Sequence, residues 1–382
     1  MGVLNVPNLR FHEFKGEWKD SNIGRCFELY SGNTPSRMEK EHFLGDVNWI
    51  TSGELKEHYI GYTKERISEK AAADNNLRIL PVGTFVMAIY GLEAEGVRGT
   101  CSITVKTSTI SQACMAFTPK SNVSNEFLYS WYKKHGNKIG IRYAQGTKQQ
   151  NLSYDIIEKF PIRYPSIEEQ EKLNTFISLL DERIATQNKI IEDLKKLKVA
   201  IRDNQLNIIR KQYGLNSQIS ELLDYEQPSK YIVSNTEYLN NNNLIPVLTA
   251  NKAFILGYTD ETFGIYDKGQ CIILDDFTLD CKLVSFAFKV KSSAIKILTS
   301  KNGILLRYIY EYINYIGLET AEHKRHYISE IEPMLIAYPD DNDIVNSFCI
   351  LMEIYDKKIE IENKYLQSLL SQKAYLLSNL FI

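Results

Sequence analysis

A short segment closes each half of this chain. Ile162-Arg163-Tyr164-Pro165 recurs as Ile336-Ala337-Tyr338-Pro339, 174 residues later, and the Ile157-Glu158 before it recurs as Ile331-Glu332. Beyond the proline the match continues at an offset of 175. Asp181, Ile184, Asn188, Lys189, Leu194, Lys198 and Asn204 reappear as Asp356, Ile359, Asn363, Lys364, Leu369, Lys373 and Asn379. Such a duplication constrains the fold more than any single motif, because both copies must satisfy one framework.

Both copies of that stretch read as long helices. The first opens at Ser166 with Glu169 three residues on, a capping-box spacing directly after a proline. Leu173, Ile177, Leu180, Ile184, Ile191, Leu194 and Ile201 then follow at heptad spacing and continue to Leu206 and Ile208, with no Gly or Pro between Ser166 and Tyr213. The second copy carries Phe348, Met352, Tyr355, Ile359, Leu366, Leu369, Leu376 and Leu380 at the same phase. One such stripe also suits the buried face of a core helix, whereas two equally long copies favour a mutual coiled coil. Polar residues interrupt the seam at Gln187 and Lys198 in the first copy and at Glu362 and Lys373 in the second. Parallel packing sets Lys198 against Lys373, a costly contact in a partly desolvated seam. Antiparallel packing in which paired numbers sum to 560 instead sets Lys198 against Glu362 and Gln187 against Lys373. It also pairs Leu180 with Leu380, Ile184 with Leu376, Ile191 with Leu369, Leu194 with Leu366 and Ile201 with Ile359. Ile190, Leu197, Val199, Ile361, Tyr365 and Leu370 lie off the seam, which predicts cover by partner helices and a chain that is poorly soluble or self-associating alone.

Two globular blocks occupy the remainder, and short strand signals mark both. Pro81 to Gly91 reads as turn, strand, turn, and Cys101 to Val105 and Ala113 to Thr118 as further strands in the first, while Lys268 to Asp276 and Cys281 to Val290 play the same part in the second. Tyr-rich helices at Phe127 to Gly136 and Ile304 to Ile316 precede each Ile-x-Tyr-Pro element. The expected organisation is a block over residues 1–165, a helix over 166–212, a second block over 213–339 and a second helix over 340–382. The fold class is α+β: two mixed α/β domains in a pseudo-twofold arrangement, separated by two long antiparallel coiled-coil helices.

Composition narrows the function. With 44% hydrophobic and 24% charged residues the chain is of ordinary globular type, and neither a spanning run nor a signal core occurs, so a cytoplasmic protein is expected. The six cysteines are scattered, with no CxxC pair, which argues for reduced packing residues rather than disulfides or zinc. Net charge is −2 overall, +3 over residues 1–160 and −4 over 213–335, so a nucleic-acid surface must be a local patch.

No catalytic constellation is present. There is no Pro-Pro of an aminomethylase turn, and the glycine-rich run Gly91 to Gly99 lacks the P-loop Gly-Lys-Ser/Thr and reads as a hairpin loop. Asp340 and Glu362 mimic a nuclease metal pair but fall too far apart along a helix. The six histidines read as exposed loop residues. Arg142-Tyr143-Ala144-Gln145-Gly146-Thr147-Lys148-Gln149-Gln150-Asn151 does suit bases and phosphates, since amides pair with adenine and cations with guanine or phosphate. Glu319 to Tyr327 stands at the same distance before the second Ile-x-Tyr-Pro.

The sequence resembles the specificity subunit of type I restriction-modification systems across essentially its whole length. The resemblance rests on the block-helix-block-helix duplication, on Val47-Asn48-Trp49-Ile50-Thr51-Ser52-Gly53, on Gly146-Thr147-Lys148-Gln149, and on Ile-x-Tyr-Pro preceding Glu168-Glu169-Gln170. It implies that each block is a target recognition domain reading half of a bipartite duplex DNA site, while the helices set the gap and dock two methyltransferase subunits. Restriction and translocase subunits would complete the complex. It further implies a non-catalytic chain, with S-adenosylmethionine, ATP and Mg held by partner subunits. The candidate DNA contacts are Thr51, Ser52, Lys56, Tyr90, Arg98, Arg142, Thr147, Lys148, Gln149 and Gln150 in the first block. In the second they are Thr249, Asn251, Lys252, Lys324, Arg325 and His326, where the Gly-Thr-x-Gln pattern is replaced. A reading from another class is a structural adaptor whose blocks bind protein and whose coiled coil spans distance.

Overall fold

The structure is a computed structural model, and it describes residues 5–94, 96–146, 150–250, 253–301, 303–318 and 325–382. It divides into two compact units, residues 1–188 with 365–382, and residues 189–364. Each unit therefore holds one block and a half of each long helix.

In the first unit the elements are β1 (Lys19–Asn22), α1 (Ile23–Cys26), β2 (Phe27–Ser31), β3 (Val47–Ile50), β4 (Tyr59–Ile60), β5 (Arg66–Ile67), α2 (Glu69–Asp74), β6 (Phe85–Ala88), β7 (Cys101–Thr104), β8 (Ser108–Ile110), β9 (Cys114–Pro119), α3 (Asn125–Tyr143), α4 (Tyr154–Glu158) and β10 (Pro161–Tyr164). They form a five-stranded sheet in the order β2-β9-β6-β7-β4, a three-stranded sheet β5-β3-β8 and the pair β1-β10. Every residue of β6 is buried, as a continuous apolar run requires of a strand covered on both faces. Helix α3 packs on it through Phe127, Leu128, Trp131 and Tyr132.

The second unit holds β11 (Ser217–Gln218), α6 (Ile219–Leu222), β12 (Leu223–Glu226), β13 (Ile245–Leu248), β14 (Ile255–Thr259), β15 (Cys271–Asp275), β16 (Cys281–Val284), β17 (Lys289–Val290), β18 (Ile295–Ser300), α7 (Leu306–Ile316) and β19 (Leu335–Ile336). Its sheets run β12-β18-β15-β16, β14-β13-β17 and β11-β19. Each order repeats that of the first unit strand for strand, including the parallel pairing of β3 with β8 and of β13 with β17. Strand β4 alone has no counterpart. The duplication thus extends through the blocks, where residue identities have faded because many apolar side chains satisfy one buried strand position.

The long helices are α5 (Ile167–Tyr213), 47 residues, and α8 (Asn342–Leu380), 39 residues. In the first unit Leu173 and Ile177 of α5 share a core with Leu376, Leu377 and Leu380 of α8, and Asp181 pairs with Lys373. In the second, Leu206 and Ile209 share a core with Val345, Phe348 and Met352, and Lys198 Nζ lies 2.7 Å from Asp356. Within each unit, numbers rise along one helix as they fall along the other, so the packing is antiparallel. The expected register is corrected: both ion pairs sum to 554, not 560. The repeat explains the difference. Lys198 and Lys373 are copies of one position, as are Asp181 and Asp356, so each lysine meets the other copy's aspartate, with Glu311 and Arg307 joining the pair in the second unit. Glu362 is the copy of Gln187, which carries no charge, and it pairs instead with Lys358 on its own helix at 2.6 Å. The expected seam positions Leu180, Ile191 and Leu369 are buried, and Ile184, Leu194, Ile359 and Leu366 half-buried.

The start of α5 departs from a capping box as well. The Glu169 N–H donates to Ser166 Oγ at 3.4 Å, but its carboxylate accepts two hydrogen bonds from the Arg10 guanidinium, at 2.8 and 2.7 Å, and one from Trp18. Next to it Gln170, fully buried, donates to Asn122 and Pro165 carbonyls and accepts from the Ser124 N–H that opens α3. These two side chains lock the helix to its block.

Among the described residues no helix is long and apolar enough to cross a membrane, and no cluster of three or more His, Cys, Asp or Glu is placed to hold a metal ion. All six cysteines are free and buried, and burial pushes the Cys101, Cys114, Cys271, Cys281 and Cys349 thiols up to about 12.

Candidate nucleic-acid interface

Three backbone hydrogen bonds join the ends of neighbouring strands in the first unit. The Ser111 N–H donates to Ile50, the Ile89 N–H to Ala113 and the Leu152 N–H to Ile89, at 2.8, 2.9 and 2.9 Å. They bring the residues just past β3, β6 and β8, and the loop before α4, to one edge of the block. Thr51, Tyr90, Gln112 and Gln150 stand next to these bonds. Two candidate loops are tied together there: Leu92 N–H donates to the Gln150 carbonyl at 3.0 Å, and Gln150 N–H to the Glu93 carboxylate at 2.9 Å. That second bond is the main cause holding the Glu93 carboxyl below its usual range. Tyr90 keeps 40% of its surface exposed, and Gln112 is exposed in the three-residue connection between β8 and β9.

The structure places the described candidate residues of the first block as follows. Thr51 donates its N–H and its hydroxyl to Glu54, at 2.9 and 2.8 Å, and so shapes the turn that carries half-buried Ser52 and exposed Lys56. Arg98 donates to the Leu92 and Glu93 carbonyls, at 3.0 and 3.5 Å, and braces the Gly91–Gly99 loop rather than reaching out. Arg142 is exposed at the end of α3, its guanidinium 5.6 Å from the Tyr143 ring centre. Thr147, Lys148, Gln149, Asn251, Lys252 and Lys324 lie outside the described residues. In the same block, where the chain passes from β7 to β8, Lys106 Nζ lies 3.8 Å over the ring of Tyr62, which is 69% exposed, an arrangement suited to stacking and to phosphate.

The second unit repeats the three bonds. The Lys291 N–H donates to Leu248, the Asp276 N–H to Ala294 and the His326 N–H to Asp276, at 3.0, 2.9 and 3.1 Å. Phe277 thereby takes the place of Tyr90, Ser292 and Ser293 that of Gln112, and Arg325 that of Asn151. Two expectations are corrected here. His326 is 2% exposed, with its ring against Glu330 at 2.8 Å, and Thr249 is buried, so neither presents a side chain to a ligand. Burial follows from their positions inside the bonded edge. Of the other histidines, His58 is stacked between Tyr59 and Tyr129, with centroids 4.1 and 3.8 Å away, and His42 and His135 are partly buried; His12 alone of those described is fully exposed. Gln112, Phe277, Lys291 and Ser293 escaped the sequence reading. The signal available was the short turn before each strand at Cys114 and Ile295, which marks the same edge in both copies.

Residues 15–196 match the family described as the type I restriction modification DNA specificity domain. The specificity subunit of the type I restriction enzymes EcoR124I and EcoR124II of Escherichia coli is 46% identical over 142 residues, 36% of this chain and 35% of that protein. That of the MjaIX enzyme of Methanocaldococcus jannaschii is 30% identical over 192 residues, 49% of this chain and 43% of that protein. The chain thus aligns with less than half the length of either relative. Among solved structures, a type I restriction-modification S subunit from M. genitalium superposes with a TM-score of 0.58 at 15% identity, covering 99% of each chain. A chain from a study of type I system assembly and conformational transition gives 0.59 at 12%, covering 95% of this chain and 97% of that one. At such identities these two establish the fold.

Proposed function

We propose, from the membership of residues 15–196 in the type I restriction modification DNA specificity domain family, that this chain is the DNA-reading subunit of a type I restriction-modification complex. Each block reads one half of a bipartite duplex target, and the long helices fix the gap between halves. The observation that carries this is the pair of equivalent strand-end edges, one per block, built by the same three hydrogen bonds and bearing different side chains. One scaffold with two sets of exposed residues is what independent reading of two sequences needs.

On the first edge the available chemistry is hydrogen bonding. Gln112 and Gln150 suit adenine, Ser52 suits several bases, and Tyr90 offers a face and a hydroxyl. Lys56 and Arg142 hold phosphates and set the register. Ile190, Leu197 and Val199 on α5 with Ile361 on α8 in the second unit, and Tyr365 and Leu370 on α8 in the first, are each 37–59% exposed, and these apolar faces dock the helices of two methyltransferase subunits. The chain itself is non-catalytic and acts in the cytoplasm. S-adenosylmethionine, ATP and Mg are bound by the methyltransferase and by the restriction and translocase subunits that complete the assembly.

Methylome sequencing of cells with and without this chain tests the reading. A methylated bipartite motif that vanishes with the chain is expected. Unchanged methylation, together with salt-insensitive capture of protein partners in the absence of DNA, would instead favour the adaptor.

A further inference from the structure

The two edges differ in charge although they share a scaffold. At the first, the residues flanking the three hydrogen bonds are Thr51, Tyr90, Gln112 and Gln150, all neutral. At the second, Lys291 stands where the first unit has Ser111, and Arg325, beside Phe277, where it has Asn151. Lys291 is exposed at the end of β17, where the first unit has buried Ser111. Arg325 is exposed and its guanidinium lies 6.0 Å from the Phe277 ring centre. Neither cation forms an ion pair with a described residue.

Among the described residues, the carboxylates around this edge already have partners. Asp276 accepts the N–H groups of His326 and Tyr327, at 3.1 and 2.7 Å, and lies 3.2 Å from buried Lys296. Asp275 accepts the N–H groups of Phe277 and Thr278, at 2.9 and 3.0 Å. Asp280 accepts from the Thr278 hydroxyl, and Glu330 sits against His326. With Asp275 and Asp276 buried and holding backbone N–H groups, the edge can present positive charge in a block whose net charge is −4.

We propose that Lys291 and Arg325 contact DNA at the strand-end edge of the second block and hold its half-site through phosphate charge, whereas the equivalent edge of the first block, apart from Lys56 and Arg142, offers the neutral hydrogen-bonding groups of Gln112 and Gln150. This inference rests on the DNA-reading function above. Each cation that neutralises a phosphate releases condensed counterions and steepens the salt dependence of binding, while a neutral amide contact does not.

The test uses the full chain assembled with its methyltransferase subunits and a pool of duplexes with randomised interiors, titrated by fluorescence anisotropy from roughly 50 to 200 mM salt. Lys291→Ala with Arg325→Ala should flatten the slope of log affinity against log salt by about 2, one for each lost phosphate contact, and weaken binding roughly tenfold or more at the low-salt end. Gln112→Ala should leave the slope unchanged and relax the bound sequences at one position of the other half-site. Both Lys291 and Arg325 are exposed, so unaltered thermal unfolding of the double variant separates the effect from misfolding. An unchanged slope in that variant, with a wild-type complex that does bind in a salt-dependent way, would overturn this inference alone. A wild-type complex with no salt-dependent binding would overturn the DNA-reading function and this inference with it.

Discussion

Glu169 shows how one side chain can join a helix to a domain. It is 2% exposed and held by both arms of the Arg10 guanidinium. Removing one member of a buried pair leaves the other uncompensated, so Glu169→Ala should lower stability by about 3 kcal/mol in chemical denaturation. Glu169→Gln, which keeps one acceptor, should lose less. His135 makes a second prediction. Burial lowers its pKa from the ordinary 6.5 to about 4, and its neutral ring donates to the Ile382 carbonyl at 3.1 Å. Because the folded pKa lies below the unfolded one, the unfolded chain binds a proton the folded chain refuses. This group therefore makes the protein progressively less stable as pH falls from about 6.5 to about 4. His135→Gln should flatten that segment of the stability curve, and an unaltered curve would show that His135 is not the cause. The capping-box spacing at Ser166 correctly marked a helix start, yet a local pattern could not reveal that the Glu169 carboxylate has a partner 159 residues away. For the same reason His326 looked exposed: the strand-end bonds that bury it come from distant segments.

At the scale of elements, the two long helices were legible because periodicity and the absence of Gly and Pro are properties of contiguous sequence. Their antiparallel sense followed from charge. Their register did not, because several alignments keep apolar layers facing one another and the choice fell on Glu362. The repeat itself held the answer, since Asp181 and Asp356 are among its identities and duplicate each other's role. The Asp181–Lys373 pair, about a quarter exposed at each side chain, supplies a test. Asp181→Lys should destabilise by about 1–2 kcal/mol, and adding Lys373→Asp should recover most of that loss. Additive losses in the double variant would contradict the pairing. On the outer faces, replacing Leu197 and Ile361, 47% and 59% exposed, with glutamine should raise the solubility of the isolated chain while abolishing co-purification of the methyltransferase. Retained co-purification would place the docking surface elsewhere.

For the whole molecule, duplication accounts for features that single motifs do not. It explains why two blocks with little residual identity have the same strand orders, why one lysine-aspartate pair occurs once in each unit, and why two edges of different chemistry are built by the same hydrogen bonds. The block count and the recurrent ends were visible in the sequence. The interior equivalences were not, since they are carried by backbone bonds that constrain topology without fixing side chains. The central claim is that the blocks read DNA independently, and the most direct measurement is the methylome of cells expressing a chimera in which residues 1–165 come from another specificity subunit. One half of the methylated bipartite motif should change, while the other half and the gap stay as they were. A motif altered in both halves would contradict the account.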